Sequence, residues 1–104
     1  MKTQDREAAS FEVEGAERSR VVGTLGFGTV SALLPAGSDA IQRGQAAIID
    51  LAGVANADSS GLALLIEWLS VAKEARRTLR YENIPLQVDQ LARLSDVEAL
   101  ITAA

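Results

Sequence analysis

Asp58, Ser59, Ser60 and Gly61 set a carboxylate, two hydroxyls and a glycine side by side, just ahead of the largely apolar run 62–69. Two chemistries suit such a cluster. A serine hydroxyl attacks a carbonyl or phosphoryl centre when a neighbouring base takes its proton, and a serine also accepts a phosphoryl group from a kinase. The first chemistry needs a base, and the 104 residues include no histidine. Asp58 is adjacent in the chain to Ser59, a placement that turns its side chain elsewhere. No catalytic residue is therefore expected. With no cysteine either, disulfides and thiolate metal sites are excluded. Asp50, Asp58 and the more distant acids show no ligand spacing, so neither metal nor cofactor is expected.

The same residues also suit a plainer duty. The first turn of a helix leaves N–H groups unpaired at the positive end of its dipole, and Asp58, Ser59 or Ser60 can each accept a bond there. One cap is enough. Three candidates plus Gly61, which costs up to about 1 kcal/mol relative to Ala inside a helix, exceed that need. The cluster is read either as an over-supplied cap or as a contact or modification site. The second reading gains from its place beyond the carboxyl end of a central strand, where open α/β sheets carry function.

The elements that position the cluster follow from periodicity. Residues 1–10 show none and are expected to be a flexible tail ahead of a single domain, 11–104. FEVE, 11–14, alternates as a half-buried strand, and SRVVGTL, 19–25, follows Gly15 as its hairpin partner. Thr29 is placed to cap a helix with Val30, Leu33, Leu34, Gly37 and Ile41 on one face, ending near Gly44. Pro35 predicts that this helix is kinked or in two parts. AAIIDLAG, 46–53, is apolar except for Asp50, as a central strand covered on each side would be.

Residues 61–76 form a strong helix, 78–84 a strand, and Pro85 suits the first turn of a helix carrying Val88, Leu91, Ala92 and Ser95 on one face. SDVE, 95–98, matches a capping box for a short last helix. The order β, β, α, β, α, β, α, α predicts an α/β fold on a mixed sheet. In the 61–76 helix, Leu62, Leu65, Ile66, Leu69 and Ala72 make one apolar stripe and Leu64, Trp68 and Val71 an adjoining one. Such an arc is wider than core packing alone requires. Either neighbouring elements or a partner protein cover the surplus, and Trp68 belongs to the core or to an interface accordingly.

Composition narrows the partners. A formal charge of −4 argues against nucleic acid, whose binding relies on Lys and Arg neutralising phosphates. Lys73, Arg76, Arg77 and Arg80 read as a solvated helix end. GTLGFG, 23–28, lacks the Gly-Lys-Ser/Thr of a phosphate loop and reads as a strand-to-helix turn. Glu12 and Glu14 share a solvated strand face. No run approaches the roughly 20 apolar residues needed to span a bilayer, and the polar start lacks a secretory signal.

AIIDLAGVANADSSGLALL, together with VGTLGFGTVSALL and YENIPLQVDQLARLSDVEALI, resembles the STAS domain family over about residues 11–102. The resemblance implies a STAS-like fold: a central mixed sheet of about four strands with helices mainly on one side. Two branches match. In anti-sigma factor antagonists the serine after the aspartate is the phosphoacceptor, which falls on Ser59 and implies an anti-sigma factor kinase as partner. In the MlaB branch, the small subunit of an ABC system moving phospholipids to maintain outer-membrane lipid asymmetry, the same loop contacts the cytoplasmic ATPase.

Ala63-Leu64-Leu65 after Gly61-Leu62, the Leu-Leu-Pro at 33–35 and the short stretch after 101 favour MlaB. Gly26 departs from the acid many STAS domains place there, and Ser59-Ser60 departs from the Thr-Gly of some MlaB proteins. The expectation is a non-catalytic cytoplasmic subunit, peripheral to an inner-membrane transporter. It would bind the ATPase through Asp58, Ser59, Ser60, Gly61, Ala63, Glu67 and Ser70.

Overall fold

The computed structural model describes residues 8–102. Ala9–Val13 is β1, Arg18–Leu25 β2, Val30–Gln42 α1, Ile48–Ala57 β3, Ser59–Glu74 α2, Arg80–Glu82 β4, Leu86–Leu94 α3 and Glu98–Thr102 α4. The four strands lie in the order β1-β2-β3-β4. β1 and β2 form an antiparallel hairpin, while β2 with β3 and β3 with β4 run parallel, so the sheet is mixed as expected. β1 takes in Ala9 and Ser10 from the expected tail, whose first seven residues lie outside the described ones.

Alternation along the strands gives the sheet two unlike faces. Phe11, Val21, Ile49, Leu51 and Tyr81 join the core cluster with the helices. The opposite face carries Glu12, Arg20, Arg18, Asp50 and Glu82, linked by Arg18–Glu82 at 2.7 Å, Arg18–Asp50 at 3.5 Å and Arg20–Glu12 at 2.8 Å. β3 is thus covered on one side only, correcting the expectation of cover on both. Asp50 marks the open side, where the Asn83 amide also donates to it at 2.9 Å.

The wide apolar arc of α2 is filled from within. Gly61, Leu62, Leu64, Leu65, Trp68 and Ala72 are all buried, with α1 packed on one flank of α2 and α3 and α4 on the other. Trp68 is fully buried, edge-on to Phe11 at 5.5 Å between ring centroids, and its Nε1–H donates to the Leu34 carbonyl at 3.2 Å. Gly37 makes this approach feasible, because a methyl group there would collide with the indole. The tryptophan belongs to the core.

α1, α2 and α3 end in the same Schellman pattern, with Gly44, Arg76 and Asp96 in the left-handed region at φ 78, 58 and 62°. In α3 this device displaces the expected capping box. Ser95 closes α3, its N–H donating to Leu91, and Val97 N–H returns to Ala92, so Ser95 cannot open α4. Glu98 instead pairs with Arg93 at 3.0 Å. Thr29 stands at the cap position of α1 but makes no cap bond: its hydroxyl turns back to Thr24 O at 2.8 Å and accepts Gly26 N–H at 3.1 Å. Pro35 lies inside one continuous helix and does not divide it.

Candidate functional site

Two irregularities in β3 bring the Asp58 turn into place. Arg20 faces Asp50 while Val22 faces Gly53, and Gly23 faces Val54 while Thr24 faces Asn56. Each step inserts one extra β3 residue, and such bulges bend a strand and re-aim the residues beyond them. The strand therefore runs to Ala57, past the expected 46–53, and ends paired with Leu25.

Asp58 then works as a clamp. Its Oδ1 accepts the N–H groups of Ser60 at 2.8 Å and Gly61 at 3.2 Å, which caps α2. Its Oδ2 accepts the Phe27 N–H at 3.1 Å, from the glycine-rich loop between β2 and α1. Gly61 is buried against Leu25, whose carbonyl oxygen occupies the space a side chain would need. Of the three cap candidates Asp58 holds the post, and α2 starts at Ser59, two residues earlier than expected.

Both serines are released by this arrangement. Neither hydroxyl has a hydrogen-bond partner among the described residues; Ser59 is exposed and Ser60 half-buried. Three backbone N–H groups engage the Asp58 carboxylate, so it is not aimed at Ser59 as a base. The turn can present hydroxyls to a partner or accept a modification, and it lacks the parts of a nucleophilic centre.

Two grooves flank the ridge. One, of about 540 Å³, lies between α1 and α2 and is lined by Phe27, Leu34, Ser60, Ala63, Leu64 and Glu67 among others. The other, of about 410 Å³, lies between the start of α2 and α3 and is lined by Ala57, Asp58, Ser59, Gln87, Leu91 and Leu94 among others. Phe27 is 84% exposed on its loop. Among the described residues, the only charged one lining the first groove is Glu67, which has no ion-pair partner there, and the only one lining the second is Asp58.

The expected residues thus divide. Asp58, Ser59, Ala63, Glu67 and Ser70 are exposed, and Ala63 and Glu67 line the α1–α2 groove with Ser60. Ser70 lies a turn beyond that lining. Gly61 supports the turn from beneath and presents nothing outward. Phe27, Leu34, Gln87 and Leu94 were not anticipated. The α3 residues had a signal in Leu86 and Leu94, eight apart and off the Val88–Ala92 face. Among the described residues no group of three or more His, Cys, Asp or Glu could hold a metal ion, and no helix is long and apolar enough to cross a membrane. At the other end of α2, Arg77 reaches the Gln42 carbonyl at 3.0 Å, a cation at the negative end of α1.

Comparison with curated proteins gives no match. Two solved structures share the fold: the Bacillus cell fate determinant SpoIIAA in its phosphorylated form and the anti-sigma factor antagonist SpoIIAA in its unphosphorylated form. The first is 19% identical with a TM-score of 0.64, covering 86% of this chain and 85% of the other. The second is 20% identical with a TM-score of 0.66, covering 88% and 83%. The family model described as MlaB, STAS domain, matches residues 12–102. With that match over nearly all of the described sheet and helices, the chain belongs to the MlaB-type STAS domain family.

Proposed function

We propose that the chain is a non-catalytic accessory subunit that binds and stabilises the cytoplasmic ATPase of an Mla-type phospholipid ABC transporter. It sits peripherally on the inner-membrane complex that maintains outer-membrane lipid asymmetry. The observation that carries this reading is the Asp58–Ser60 ridge: two hydroxyls without a partner among the described residues, held on a capped helix start, with Phe27 exposed beside them. A rigid, partly apolar knob is suited to docking because little ordering entropy is lost when a partner seats on it. Binding to the folded ATPase alone would stabilise it by mass action, about 2.7 kcal/mol at a hundredfold excess over Kd.

A second reading, an anti-sigma factor antagonist switched by phosphorylation of Ser59, draws on the exposure and free hydroxyl of that serine. A phosphoryl group there would add about −1.5 to −2 charges beside Asp58. Among the described residues no Lys or Arg lines either groove to receive it, so its effect would fall on the partner.

Substitution at Ser59 separates the two. Ser59→Asp is expected to weaken copurification of the ATPase at least tenfold while the melting temperature of the isolated domain stays nearly unchanged. Parallel loss of fold and binding would remove the contact role. Under the second reading, a cognate serine kinase labels the wild type and leaves Ser59→Ala unlabelled.

A further inference from the structure

α3 carries two apolar stripes. Val88 and Ala92, both buried, and Leu91, half-buried, face the core. Leu86, Gln90 and Leu94, spaced i, i+4 and i+8, face outward, with Leu86 69% and Leu94 85% exposed. A helix needs only the first stripe for packing. Of the second stripe Gln90 and Leu94 line the α2–α3 groove together with Ser59, while Leu86 lies beyond its edge.

We propose that this groove is the second half of the docking surface, and that one protein partner straddles the Ser59–Ser60 ridge to occupy both grooves at once. Its part in the α2–α3 groove is an amphipathic helix with apolar side chains toward Leu91 and Leu94 in the groove and Leu86 just beyond it, and Lys or Arg at its edge. The inference rests on the accessory-subunit reading and names a surface that reading does not include.

Three observations carry it. The first is continuity: consecutive residues line the two grooves, Ser59 the α3 side and Ser60 the α1 side, so a body that rests on the ridge meets both. The second is charge. Among the described residues each groove is lined by a single charged one, a carboxylate, and no Lys or Arg occurs in 44–72 or 81–92. Arg93, the cation on α3, is already held by Asp89 and Glu98, each at 3.0 Å. An acidic segment would meet a carboxylate and no side-chain cation among the described residues lining either groove, whereas a basic amphipathic one is complementary. The third is rigidity. The Gln87 side-chain carbonyl accepts the Ala57 N–H at 3.1 Å, tying α3 to the end of β3, so the groove is preformed between fixed walls. A groove between two helices is a common seat for a third, which anchors through residues one turn apart.

The test places a photoreactive phenylalanine at position 94 in one variant and at position 27 in another, each full-length and copurified with the ATPase subunit. The expected result is that both cross-link the ATPase, and that the peptide joined to position 94 is apolar with Lys or Arg. Leu94→Glu and Leu86→Glu should each lower copurification at least tenfold with an unchanged melting temperature, while Leu94→Met binds as the wild type does. Both sites are exposed, so the fold should tolerate them.

Cross-linking from 27 without 94, or full binding by both glutamate variants, overturns the straddling partner and leaves the accessory reading standing. So does an acidic peptide, or a second copy of this chain, as the sole product at 94. If the wild-type chain copurifies no ATPase, the accessory reading fails and this proposal falls with it.

Discussion

At the scale of single residues, Asp58 and Gly61 decide what the serines are free to do. By satisfying the first N–H groups of α2, the carboxylate takes over the capping duty that Ser59 or Ser60 would otherwise perform. Gly61 lets α2 settle against Leu25. Gly61→Ala should therefore destabilise the domain by about 1–3 kcal/mol through overpacking, despite an intrinsic helix gain of up to about 1 kcal/mol. Denaturant unfolding of the two proteins measures the difference, and a more stable variant would mean that the close packing is not rigid. The surplus of polar residues at the turn was legible from types and spacing alone. Which of them caps, and that Gly61 faces inward, was not, because both depend on the carbonyl of Leu25 and the N–H of Phe27, more than 30 positions away.

Among the elements, the helices were legible where periodicity was strong and misjudged where two local devices competed. SDVE has the composition of a capping box, but the left-handed turn at Asp96 uses Ser95 to finish α3. Composition cannot rank those outcomes; the packing of Val97 and Ile101 against the core does. Thr29 shows the same competition, its hydroxyl drawn into the Gly26 turn. The shared left-handed stop yields a prediction for α2. Arg76 occupies at φ 58° a position that glycine fills in α1, and a side chain in that region costs about 1–2 kcal/mol. Arg76→Gly should raise stability by about 1 kcal/mol, read as a higher melting temperature, and a fall would show that the arginine side chain contributes more than its backbone strain.

For the molecule as a whole, the decisive feature is the one-sided sheet. Element order and mixed strand direction were legible in periodicity, whereas the uncovered face was legible only through the family resemblance and not in the apolar run of β3, since the partners of Asp50 come from β2 and from Asn83 after β4. The exposed ion pairs on that face are screened by solvent and add little to stability. Asp50 differs in joining β2, β3 and the turn after β4. The Asn83 amide first, then the Ala52 N–H, and more weakly Arg18 hold its carboxyl below the ordinary value of 3.8. The folded value lies below the unfolded one, so this stabilisation is fully present above 3.8 and is lost as pH falls through the folded value. Asp50→Asn should lower the melting temperature at neutral pH and flatten its decline on acidification. An unaltered acid limb would assign the decline to other carboxylates, Glu12 among them, which Arg20 also holds low.

Because a single carboxylate fastens the Phe27 loop to the first turn of α2, these two projections share one hinge pin. Pulling on either strains the other through bonds of about 3 Å. A load placed on the Phe27 loop is thus carried to the backbone of the first turn of α2 through the Asp58 carboxylate.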